Sequence, residues 1–133
     1  MSELLTPVSP GELIDKITIL RIKAARIGDG VKLANVRHEL EVLERTWRES
    51  AYAGAGPEKD VTAETAALEA VNTRLWEIED DIRDKERSRT FDARFIELAR
   101  SVYIENDERA RLKRRINDKL GSPIVEEKSY RRY

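Results

Sequence analysis

The stretch from Ser9 to Gly30 constrains the fold more than any other part of the chain. Ser9 can cap a helix with its hydroxyl, Pro10 suits the first helical position, and Glu12 closes a capping box. Apolar residues then fall at Leu13, Ile17, Leu20, Ala24 and Ile27, which is helical spacing. Ile14, Ile17, Thr18, Ile19 and Ile22 are β-branched and taken alone would favour a strand. The caps and the length of the run decide for helix. Gly28-Asp29-Gly30 ends it, with glycine available for the left-handed C-terminal position. Because Ile14, Ile19 and Ile22 lie off the main stripe, the helix is apolar on nearly every face. It must be buried centrally or sit in a subunit interface.

Three more helical patterns follow. Leu33, Val36, Leu40, Leu43 and Trp47 step by three and four, and a Gly-Ala-Gly-Pro run from Gly54 breaks the pattern. Leu68, Val71, Leu75, Ile78 and Ile82 form the third stripe, which fails at Lys85. Phe91, Phe95, Leu98 and Val102 open the fourth. There Glu105 and Arg109 stand where the stripe calls for apolar residues, and Asn106-Asp107 offers a fresh cap. The region from 92 to 120 is therefore one bent helix or two, the second carrying Leu112, Ile116 and Leu120. Gly121-Ser122-Pro123 stops it. Helices are expected over about 13–27, 32–52, 63–88 and 92–119, packed as an antiparallel four-helix bundle, or five if the last is broken. The 133 residues form one domain, with an extended arm (1–9), an exposed loop (54–61) and a C-terminal tail (122–133). Leu20, Leu40, Leu43, Leu75, Ile78, Phe95, Leu98 and Leu112 are expected in the core.

Composition excludes several function classes. There is no Cys and a single His, His38, so thiolate and poly-His metal sites are ruled out, as is Cys-His catalysis. Charged residues make up 38% of the chain, yet the net charge is -1. Such a balance exerts no general pull on nucleic acid or an anionic membrane. No apolar run approaches a membrane span, and the opening residues lack signal-peptide character, so a cytoplasmic location is expected.

Candidate functional residues are charges in apolar surroundings. Asp15, Lys16 and Arg21 lie on the first helix, where not every charge reaches water easily. Glu105 and Arg109 interrupt the fourth stripe. A buried charge requires a partner. Arg21 and Arg109, with Asp15 and Glu105, are expected to form one inward cluster, either a structural ion-pair network or a grip on an anionic ligand. Glu41, Glu44, Glu77 and Asp80 have the E-x-x-E, E-x-x-D spacing by which helical nucleotide pyrophosphohydrolases of the MazG type hold magnesium. Periodicity places Glu77 and Asp80 away from the core, so no metal or other cofactor is expected. The run Glu108 to Lys119 holds six bases and two acids, while Leu75 to Arg89 holds six acids and four bases. The two segments are expected to complement each other, within one chain or across a dimer.

Two resemblances extend this reading. Residues 7–23 (PVSPGELIDKITILRIK), 75–86 (LWEIEDDIRDKE), 95–103 (FIELARSVY), 106–110, 113–117 and 124–130 (IVEEKSY) resemble a family of small all-helical bacterial proteins of unknown function. Members of that family occur near glycosyltransferase and surface-polysaccharide genes, which implies an accessory role there. The first helix alone resembles that of all-helical chorismate mutases, dimeric bundles that grip a dicarboxylate with cations. Arg21, Lys23 and Arg26 would be the matching cations, but the later helices lack the rest of that pattern. The leading expectation is a non-catalytic interaction module, a homodimer or the partner of another protein. A small-molecule enzyme or binder that grips an anion is the alternative.

Overall fold

A computed structural model describes residues 2–133. Four helices follow in order: α1 (Pro10–Arg26), α2 (Gly30–Arg48), α3 (Thr62–Arg87) and α4 (Ala93–Leu120), with a short 3-10 turn at Pro57–Lys59. No strand occurs among the described residues. The Ser9 side chain caps α1 by accepting from the Glu12 backbone N–H at 3.1 Å. Asp29 caps α2 through Lys32 and Asp92 caps α4 through Phe95. Gly121, at φ 69°, closes α4 in the left-handed conformation. Gly28 has no such role, because α1 ends at Ile27 in extended backbone.

The fourth pattern is one unbroken helix, Ala93–Leu120, running through Asn106 and Asp107. Glu105 and Arg109 need no break because each meets an opposite charge on a neighbouring helix. Consecutive helices run antiparallel. Gly11 lies against Asn117 and Asp15 against Arg109, so α1 also runs antiparallel to α4. It runs parallel to α3, with Asp15 beside Asn72 and Arg26 beside Glu77.

α1 is the central helix, with α2, α3 and α4 all packed on it. That accounts for its apolar character on every side: Leu13, Ile14, Ile17, Leu20 and Ile22 are all buried. The side of α1 left exposed carries Lys16, Arg21 and Arg26, so its apolar residues are largely taken up within the chain.

The bundle is open on one side. α2 packs chiefly on α1, and none of its residues is buried. Leu40 and Leu43 are therefore half-buried, as are Leu75, Ile78 and Phe95, whereas Leu20, Leu98 and Leu112 are core. The reason is geometric. For Ile78 and Phe95, α3 and α4, at 26 and 28 residues, outrun α1 at 17, and beyond the α1 contact they have only each other, whereas Leu75 packs at the edge of the core. The core proper lies at the opposite end, where Ile14, Val61, Leu68, Val71, Leu112, Ile116 and Leu120 cluster against Trp47 and Tyr52.

Candidate functional site

Asp15 is fully buried in the middle of α1, and three elements supply its partners. From α4, Arg109 grips it with two nitrogens, Nε donating to Oδ1 at 2.9 Å and Nη2 to Oδ2. From α3, the Asn72 amide donates to Asp15 Oδ1 and to Thr18 Oγ1, each at 2.9 Å. Thr18 donates in turn to the Asp15 carbonyl at 2.8 Å. A carboxylate removed from water is tolerable only with such a set of donors. The bidentate bond raises the Arg109 pKa above its ordinary value despite partial burial, and Asp15, Glu12 and Glu126 add to the effect. The cluster also ties α1, α3 and α4 together at one level of the bundle.

One turn further along α4, Lys113 bonds Glu12 at the start of α1 and Glu126 in the C-terminal tail, the latter at 3.2 Å. Burial pulls the Lys113 ammonium down, and the two carboxylates outweigh it, so the pKa is raised. The Ser9 hydroxyl donates to Glu126 at 2.9 Å. The tail runs back along α4, with Arg114 3.6 Å from Glu127, Lys128 donating to Asp107 at 2.6 Å, and the Tyr133 ring against that of Tyr103. Between α4 and the tail is an open cleft of about 1020 Å³, with Arg109, Lys113, Glu126, Lys128 and Tyr133 among its walls.

The expected cluster forms in part. Asp15 and Arg109 are joined. Glu105 turns to Arg74 of α3, accepting from Nε at 3.1 Å, while its other carboxylate oxygen is buried with no hydrogen-bond partner among the described residues. Arg21 does not join them. It lies on the α2 side of α1, exposed, 3.6 Å from Glu44. Lys16 is exposed and reaches Glu12 at 3.9 Å. α1 turns about 100° per residue, so Asp15 and Arg21, six positions apart, leave the helix on different sides.

The expected match between the basic end of α4 and Leu75–Arg89 does not occur within one chain. The antiparallel α3–α4 pair places these segments at opposite ends. Lys113 goes to Glu12, Lys119 to Glu64 at 3.3 Å, and Arg114 to Asp118 and Glu127. Glu44 and Glu77, from the magnesium-like spacing, pair with Arg21 and Arg26.

Asn72, Thr18 and Glu126 were not singled out from the sequence. Asn72 had a legible signal. It stands four residues after Leu68, in the apolar stripe of α3, as Glu105 and Arg109 stand in that of α4. Glu126 had none, because nothing in the sequence places an irregular tail against a helix.

A family model described as "Family of unknown function (DUF6165)" matches residues 5–133. The chain belongs to the DUF6165 family. Neither a curated protein nor a solved structure matches it. The DUF6165 match takes in the whole constellation, from the Ser9 cap to the tail that holds Glu126 and Tyr133. No helix of this DUF6165 chain is long and apolar enough to cross a membrane, among the described residues.

Proposed function

We propose that the protein is a non-catalytic helical interaction module acting in the cytoplasm. One observation carries the reading. The cations best placed to grip a ligand are already gripped by carboxylates of the same chain, while large apolar side chains stand in solvent on α4. Asp15 holds Arg109, Glu12 and Glu126 hold Lys113, and Glu44 lies beside Arg21. Phe91, Ile96, Tyr103 and Ile104 are 53%, 57%, 42% and 44% exposed. Ile96, Tyr103 and Ile104 lie on α4 and Phe91 just before it, and aromatic and aliphatic groups so exposed suit protein contact. The accessory role in surface-polysaccharide assembly implied by the family resemblance is one setting for such a module. The test is a photo-crosslinking residue at position 96, introduced in cells. A discrete cross-linked protein is expected from position 96 and not from exposed position 79 on α3. The same background at both positions would defeat the proposal.

A second reading, an anion binder, has its own support. Arg109 is 31% exposed on the wall of the cleft, and Glu126, an acidic group, already sits on Lys113 and Ser9 there. On this reading an external anion replaces Glu126. Glu126→Gln should then strengthen binding of citrate or inorganic phosphate in a calorimetric titration, and Lys113→Met should abolish it. Absence of binding in both the parent and Glu126→Gln removes this reading.

A further inference from the structure

The interaction reading leaves the partner open, and the following inference rests on it. We propose that the partner is a second copy of this chain, which covers the free end of the α3–α4 hairpin.

The first observation is area. The accessible surface is 9351 Å². Compact monomers follow a mass scaling that gives about 7,150 Å² at 15.3 kDa. The excess of roughly 2,200 Å² is more than twice the ~800 Å² that one partner contributes to an interface of standard size. Part of it belongs to the arm and tail, where Leu4, Leu5, Tyr130 and Tyr133 are 94%, 87%, 83% and 79% exposed. The open side of α2 and the hairpin end, which α1 does not reach, are exposed as well.

The second observation is the chemistry of that end. Ser88, Arg89 and Thr90 close α3 with a 2.9 Å bond from the Thr90 N–H to the Lys85 carbonyl. Arg89 takes the left-handed conformation there at φ 55°, a position that favours glycine. Its guanidinium lies 5.9 Å from the centre of the Phe91 ring, and Phe91 meets Phe95 edge to face at 5.1 Å. Ile96 stands beside them. Arginine and aromatic side chains set close together are what interface hot spots favour.

The third observation is charge, and it selects the occupant. From Asp80 to Asp92 the hairpin end carries Asp80, Asp81, Asp84, Glu86 and Asp92 against Arg83, Lys85, Arg87 and Arg89. All four bases already pair within the hairpin, Arg83 with Glu79, Lys85 with Asp92, Arg87 with Asp84 and Arg89 with Glu86, so the end offers little free charge to a strongly acidic or strongly basic partner. A nearly neutral end with an apolar tip suits a two-fold contact, in which the same patch packs on itself.

The test is light scattering and sedimentation on the full chain. The parent protein is expected to run at twice the 15.3 kDa chain mass. Ile96→Glu should weaken the dimer at least about thirtyfold, the scale of a hot-spot loss. Its helical circular dichroism should be unchanged, since Ile96 is already 57% exposed. Val31→Glu, on α2 and 74% exposed, should leave the dimer intact. A monomeric parent at high micromolar concentration overturns the inference, as does an Ile96→Glu protein that remains dimeric. A monomer that still cross-links from position 96 to a different protein overturns the second copy alone and leaves the interaction reading standing.

Discussion

Arg109→Ala is expected to cost about 3 to 5 kcal/mol of folding stability, because it strands a carboxylate that has no route to water. Asp15 is 0% exposed, and Arg109 satisfies both of its oxygens. After the substitution only the Asn72 amide remains on the carboxylate, and a neutral donor does not balance a buried charge. Reversible urea denaturation measures the loss, as a lower midpoint with little change in slope. The companion variant separates charge from packing. Asp15→Leu combined with Arg109→Met removes both charges and retains apolar volume, so it should recover most of the lost stability. If Arg109→Ala costs less than about 1 kcal/mol, the range of a surface ion pair, then Asp15 is not sealed from water and the structural role assigned to the cluster is wrong.

Gly11→Ala sets two effects of opposite sign against each other. Alanine improves helix propensity over glycine by about 1 kcal/mol. A methyl at position 11, however, would lie 2.6 Å from the Lys113 backbone carbonyl and 2.7 Å from Asn117 Oδ1. The carbonyl belongs to α4 and cannot rotate away, so α1 and α4 must separate. That separation also stretches the 2.7 Å bond from the Gly11 N–H to Asn117, which is buried. Overpacking costs ~1 to 3 kcal/mol and a lost buried hydrogen bond about 1 to 3 more. Packing wins, and a net loss of roughly 1 to 5 kcal/mol is expected after the propensity gain is set against it. Thermal unfolding followed by circular dichroism decides the matter. A melting temperature equal to or above that of the parent would show that α1 and α4 do not approach so closely.

The helices were legible in the sequence because their causes are local. Ser9 and Pro10 specify the start of α1, and Gly121 the end of α4, through groups within a turn of each position, while the Glu12 carboxylate goes to Lys113 instead of closing the capping box. The burial of Leu20, Leu98 and Leu112 followed from spacing for the same reason. The sequence also showed that α1 is largely buried, centrally or in an interface, and that a charge on its buried side needs a partner, because most of its faces are apolar. The length of α3 was legible too, whereas that of α4 was settled only when Glu105 and Arg109 found partners, and the consequence of neither was legible. Whether Leu40, Leu43 or Ile78 is core depends on what stands opposite, and α1 ends before it can cover the hairpin.

Only the tertiary structure decided which charge meets which. Asp15 and Arg109 are 94 residues apart in the chain, Lys113 and Glu12 are 101 apart, and Ser9 and Glu126 are 117 apart. No local pattern encodes such pairs. They depend on the order, direction and offset of packed helices. The sequence narrowed the polar cluster to a few anomalous positions, since a charge in an apolar stripe must be compensated somewhere. Packing then joined Asp15 to Arg109, added Asn72 from α3, and sent Arg21 to Glu44 on the other side of α1. It did so because each helix presents one side to each neighbour, and the side is set when the neighbour docks.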